Sequence, residues 1–186
     1  MSPEIDDQSL HNLVESVVRN ALGKSPQSSN IDAGGQRLVA IGSDHRGVEL
    51  KQDIMAMLSE LGYACLDCAA DLPEPADYPD IAEAVGLHVV SGKAWRGIVI
   101  DGAGIGSCIA ANKVPGVRAA LCYNQASASN AREHNDSNVL SLGSGLIGTA
   151  LALKIVQTWL ETPFAGGRHA RRVDKIRDLE KRYGAH

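Results

Sequence analysis

The sequence predicts an α/β protein, a Rossmann-like three-layer α/β/α sandwich on a five-stranded parallel sheet. Three observations carry that expectation. Short, continuous apolar segments recur from Arg37 onward, as strands read when helices cover both faces of their sheet. Each is followed by helical pattern, so β and α alternate and the crossovers are right-handed. Gly62, Gly116 and Gly143 fall at turns or strand ends.

In order, RLVAIGS (37–43) reads as the first strand, with a helix over about 46–61. YACLDC (63–68) is the second, and a helix follows the DYPD segment. WRGIVID (95–101) is the third and runs into GIGSCIAANK, the start of its helix. VRAALCY (117–123) and NVLSLGS (138–144) supply two more strands, each followed by helical sequence. Together they make a globular domain over residues 37–186.

An extension precedes that domain. Leu10, Leu13, Val14, Val17, Val18, Ala21 and Leu22 fall at the i, i+3, i+4, i+7 spacing of a one-faced amphipathic helix within residues 1–24. Asp6, Asp7 and Ser9 suit its start and Gly23 its stop. SPQSSNIDAGGQ (25–36) reads as a flexible polar linker. The helix has nothing in its own segment to bury its stripe against, so it must dock on something.

Composition narrows the function. A net charge of −4 over 186 residues argues against a protein that coats nucleic acid. No apolar run approaches the roughly 18 residues of a membrane span. MSPEIDDQSL lacks the basic and apolar regions of a secretory signal. Cys65, Cys68, Cys108 and Cys122 sit in apolar stretches and read as reduced thiols of a cytosolic protein. Cys65 and Cys68, three apart on a strand, face opposite ways and read as core, so no metal site is expected.

In a parallel sheet ligands bind at the carboxyl ends of strands. Asp44 and His45 follow the first strand, and Asp101-Gly102-Ala103-Gly104-Ile105-Gly106-Ser107 closes the third. Three glycines before a helix let successive N–H groups converge on an anion. The G-x-G-x-G spacing is neither the dinucleotide fingerprint nor a P-loop, which counts against a nicotinamide-dependent oxidoreductase. His134 and Asn135 precede the fifth strand, and GGRHARR puts Arg168 and Arg172 one helical turn apart on one face. Paired guanidiniums suit a phosphate.

GSDHRGVELK, DYPD, the glycine loop running into IAANKVPGVRAALCYN, REHNDSNVLSLG and GGRHARR together resemble ribose-5-phosphate isomerase B, within the ribose and galactose-6-phosphate isomerases. The likeness covers residues 37–182. It implies a homodimer with sites completed across the interface, a sugar-phosphate substrate and no metal or nucleotide cofactor. The implied reaction is aldose–ketose isomerisation through an enediolate, with ribose 5-phosphate and ribulose 5-phosphate as the leading pair. Asp101 then stands where the family has its cysteine base, and a carboxylate can do the same proton transfer if desolvation raises its pKa towards neutrality. His134 matches the ring-opening histidine and Asn135 an enediolate-side hydrogen-bonder. Asp44, His45, Tyr78, Gly102, Gly104, Gly106, Ser107 and Asn112 match the sugar and phosphate pocket, and Arg168 and Arg172 the phosphate-binding arginines.

Ala103 replaces a family threonine, and Gly145 stands where an arginine is common. With Asp101 for cysteine, these departures leave two alternatives open, another aldose phosphate or a non-catalytic sugar-phosphate-binding or assembly protein of this fold. The N-terminal extension resembles the encapsulation peptides that carry enzymes into bacterial microcompartments, implying shell-protein contacts through residues 9–23 and a place in the compartment lumen within the cytoplasm.

Overall fold

A computed structural model describes residues 35–70 and 76–183; the expected N-terminal helix and most of its linker lie outside them. Five strands alternate with helices: β1 (Leu38–Ser43), α1 (Val48–Glu60), β2 (Ala64–Asp67), α2 (Tyr78–Val90), β3 (Arg96–Asp101), α3 (Ile105–Ala111), β4 (Ala119–Leu121), α4 (Gln125–Asn135), β5 (Val139–Gly143), α5 (Thr149–Glu161) and α6 (Arg168–Tyr183). The strands form one sheet in the order β2-β1-β3-β5-β4, and every pairing is parallel. The predicted sandwich is the observed fold.

Alternation along the strands separates two apolar layers. Val39, Ile41, Ile98, Ile100, Leu140 and Leu142 face α1, α4 and α5, where Ile54, Leu58, Ile155 and Trp159 close the core. Ala40, Val99 and Val139 face α2 and α3 through Ala82, Val85 and Ala111. The smaller side chains on this second face let its two helices approach closely. α6 lies outside both layers against α4.

β4 is shorter than the expected 117–123. Arg118 leaves the ladder because Asn138 takes both of its backbone groups: the Arg118 N–H donates to Asn138 Oδ1 at 2.7 Å, and the Asn138 N–H donates to the Arg118 carbonyl at 3.1 Å. The outer edge of β4 is closed by a side chain. Asn112 accepts the Ala119 N–H on Oδ1 at 2.9 Å and donates to the Ala119 carbonyl at 3.0 Å and the Cys108 carbonyl at 2.9 Å. Its amide thus stands in for a neighbouring strand, so Asn112, expected in the pocket, is a structural clamp on the sheet edge.

Candidate active site

From β1 the chain turns to β2 on one side; from β3 it turns to β5 and β4 on the other. The carboxyl ends of β1 and β3 therefore form a switch point, where a crevice opens in such sheets. Asp101, the last residue of β3, is buried there. Its Oδ1 accepts the N–H of Ala103 at 2.7 Å and that of Gly104, and its Oδ2 accepts the N–H of Ser107 at 2.9 Å. The loop that the sequence marks as an anion nest is thus filled by its own carboxylate.

That geometry does not meet the condition of a pKa raised by desolvation. Burial pushes the Asp101 carboxyl up, but the Ser107 hydroxyl and the N–H groups of Ser107, Gly104 and Ala103 outweigh it and hold the pKa below its ordinary 3.8. Asp101 is ionised at neutral pH.

The loop is held from outside as well. Gly104 has φ +77°, and a Cβ there would lie 2.5 Å from Leu121 Cδ1 and 2.8 Å from the Leu142 carbonyl carbon, so both conformation and contact require glycine. Ser141 Oγ donates to the Gly104 carbonyl at 2.6 Å and the Tyr123 hydroxyl to the Ala103 carbonyl at 3.0 Å. Ser144 Oγ lies 3.0 Å from the Arg46 carbonyl and 3.1 Å from the Asp101 carbonyl, tying the β1 loop to the end of β3. Sequence reasoning misses these clamps, because each acts on a loop distant in the chain.

Asp44, His45, Tyr78, Gly102, Gly104, Gly106 and Ser107 gather at this end. The Tyr78 ring covers Gly106, where a Cβ would come within 2.7 Å of it. Asp44 and His45 line a cleft of ≈ 570 Å³ with Ser43, Val48, Lys51 and Ile81. Lys51, buried and absent from the predicted set, carries a cation beneath this cleft and pairs with Asp67 Oδ2 at 2.6 Å.

The remaining predicted residues stand elsewhere. α4 runs back from the carboxyl end of β4 to the amino end of β5, so His134 and Asn135 lie at the amino end of the sheet. Arg168 and Arg172, at the start of α6, lie there too, and the Ala165 N–H donates to the Glu133 carbonyl at 3.0 Å. The six residues of β3 span about 17 Å at a rise of roughly 3.3 Å per residue, which sets the scale between this cluster and Asp101.

Within the cluster the His134 and His169 rings stack, with centroids 4.2 Å apart and planes at 6°. Asn130 Nδ2 donates to His134 Nδ1 at 2.8 Å, so a neutral His134 carries its proton on Nε2. Arg168 Nε donates to His169 Nε2 at 3.3 Å. Burial, then the positive neighbours His134, Arg168 and Arg172, lower the His169 pKa below its ordinary 6.5.

A model of the ribose/galactose isomerases matches residues 39–176. The chain belongs to the ribose/galactose isomerase family. Ribose-5-phosphate isomerase B of Escherichia coli is 44% identical over 144 residues, spanning 77% of this chain and 97% of that protein. D-erythrulose-4-phosphate isomerase of Pectobacterium atrosepticum is 42% identical over 139 residues, 74% of this chain and 91% of that protein. The solved ribose-5-phosphate isomerase B of Clostridium thermocellum superposes with a TM-score of 0.75 at 51% identity, covering 78% of this chain and 99% of that one. In this isomerase family member the matched region holds both the Asp101 loop and the His134 cluster, and residues 1–38 precede it.

Proposed function

We propose that the chain interconverts ribose 5-phosphate and ribulose 5-phosphate by moving a proton between C1 and C2. One observation carries the reading: an ionised carboxylate in a glycine loop, at the switch point of an isomerase-family fold, beside a cleft of ligand size. Asp101 takes the proton from C2 of the open-chain aldose and delivers it to C1 while the O2 hydroxyl proton passes to O1, so the step balances without an oxidant or reductant. His134 assists ring opening and Asn135 hydrogen-bonds the enediolate side. Asp44, His45 and Tyr78 line the sugar, and Arg168 and Arg172 take the phosphate as paired guanidiniums.

The reading requires two copies. Asp101 and His134 stand at opposite ends of one sheet, so a site using both joins the carboxyl end of one subunit to the amino end of its partner. A homodimer with two such sites satisfies this with one isologous interface. Residues 1–24, tethered by 25–36, form a separate targeting unit for the shell proteins of a bacterial microcompartment. Their apolar stripe and their position before the matched region support this.

The test is isomerase activity on ribose 5-phosphate, with Asp101→Asn as control. Turnover by the wild type and its loss in the variant are expected. A wild type inactive on every pentose and tetrose phosphate overturns the reaction class. A tetrose phosphate is the second substrate to assay, because the D-erythrulose-4-phosphate isomerase is almost as similar as the E. coli ribose enzyme. Deleting residues 1–36 is expected to preserve activity and abolish co-purification with shell proteins; a truncated chain that no longer folds would assign the helix to the domain instead.

A further inference from the structure

As the carbon-bound proton leaves an aldose, negative charge grows on the neighbouring oxygen, and the site must hold it. A glycine loop before a helix ordinarily offers its own N–H groups for this. Here three of them, on Ala103, Gly104 and Ser107, already converge on Asp101. A guanidinium from outside the loop would add a full positive charge to what the remaining N–H groups can offer.

Arg46 is in position to be that donor. Its backbone is fixed on both sides: the N–H donates to Asp44 Oδ1 at 2.9 Å, and the carbonyl accepts from Ser144 Oγ at 3.0 Å. Its side chain then lies across Gly102. A Cβ at residue 102 would stand 3.0 Å from Arg46 Nε, 3.2 Å from Cδ and 3.3 Å from Cζ, so the missing side chain is what admits the guanidinium to the face of the loop. No hydrogen bond or ion pair to that guanidinium is formed among the described residues, and Arg46 is exposed. Gly145 brings no side chain, and its own Cβ would meet the Gly102 carbonyl oxygen at 2.9 Å.

We propose that Arg46 is a substrate-contacting catalytic residue, its guanidinium lying over Gly102 to receive the oxygen that becomes anionic as Asp101 takes the adjacent proton. The proposal rests on the isomerase reading above. A guanidinium suits the task because it stays charged at any working pH and presents a planar fork of donors. A lysine ammonium in the same place would supply the charge without the fork.

The experiment compares full-length wild type, Arg46→Gln and Arg46→Lys on ribose 5-phosphate, with inorganic phosphate as a competitive probe. Removal of one oxyanion donor typically lowers kcat by about 10²–10³, and a loss of that order is expected for Arg46→Gln. KM and the inhibition constant of phosphate are expected to stay within about threefold, and Arg46→Lys to fall between glutamine and arginine. Arg46 is exposed, so unchanged melting curves are expected and exclude unfolding as the cause. A kcat within twofold of wild type in Arg46→Gln overturns the proposal and leaves the isomerase reading standing. Weaker phosphate inhibition with kcat unchanged also overturns it, because the guanidinium would then grip the phosphate. A wild type inactive on every aldose phosphate overturns the isomerase reading, and this role with it.

Discussion

Two inactive variants should rescue one another when they share a dimer. Asp101→Asn removes the proposed base at the carboxyl end of the sheet, and His134→Ala removes the proposed ring-opening group at the amino end. Loss of a general acid or base usually costs about 10²–10⁴ in rate, so each homodimer should sit near a low floor. The six residues of β3 put about 17 Å of strand between the two ends, so both groups of one chain cannot flank two adjacent sugar carbons. In a mixed dimer one composite site then carries both lesions and the other carries neither.

The yield follows from symmetry. Random pairing of equal amounts makes half the dimers mixed, each with one intact site of two, so activity returns to about one quarter of wild type. Co-expression with two different affinity tags and tandem purification isolates the mixed dimer, for which about half of wild-type activity is expected. The assay is ribulose 5-phosphate formation per mole of chain. Were both groups of one chain to serve one site, every site in the mixture would keep a lesion. Tandem-purified dimer at the floor of its parents would refute the composite arrangement.

Three further outcomes are expected. Burial pushes the thiols of Cys65 and Cys122 up to about 11 and that of Cys68 to about 12, and raises that of Cys108. All four are therefore protonated near neutral pH, and iodoacetamide should leave activity intact, with intact-mass measurement showing slow labelling. The Asp101 carboxyl is depressed below 3.8 in the folded chain, so its stabilisation is full above the unfolded value and disappears as pH falls through the folded one. Urea unfolding at pH 7 should show Asp101→Asn less stable by about 1.5–3 kcal/mol, the range for hydrogen bonds to a charged group, with the two curves converging in acid; a difference that persists in acid would count against the ion. Buried Arg96 donates to the Trp159 and Leu160 carbonyls at 2.7 and 3.0 Å, with its guanidinium against the Trp95 and Trp159 rings. Arg96→Met should lower stability by about 2–4 kcal/mol, because it orphans the carbonyl end of α5; an unchanged urea midpoint would contradict this.

Much of this architecture is legible locally. The apolar runs that mark β1, β3 and β5 end within a residue of the strands themselves, because both of their faces are buried and every position is constrained. β4 is overestimated because Val117 and Arg118 look like strand while Asn138, twenty residues on, withdraws Arg118 from the ladder. The insertion of β5 between β3 and β4 has no local signature. Nothing near Arg96 in the chain announces the carbonyls of residues 159 and 160 to which it donates. The separation of Asp101 from His134, by contrast, is legible in the element order. Asp101 ends a strand and His134 precedes one, and in a parallel sheet those are opposite ends. The clamping role of Asn112 and the placement of Arg46 are not legible locally, because each is decided by backbone met in space, β4 for the amide and Gly102 for the guanidinium.

Asp101 and the enediolate make competing demands on one set of amides. The donors that hold the carboxylate ionised also make it a weak base, since a catalytic base works best with a pKa near the operating pH. Each N–H that turns towards the substrate weakens the hold on Asp101 and makes it more basic at the moment a proton is to be taken. Amides shared in this way leave the transient oxygen short of positive charge, and the guanidinium of Arg46, which lies across Gly102, can supply it. The carboxylate of Asp101 draws three N–H groups to itself, so the guanidinium lying over Gly102 is the charge that offsets what those amides no longer give the substrate.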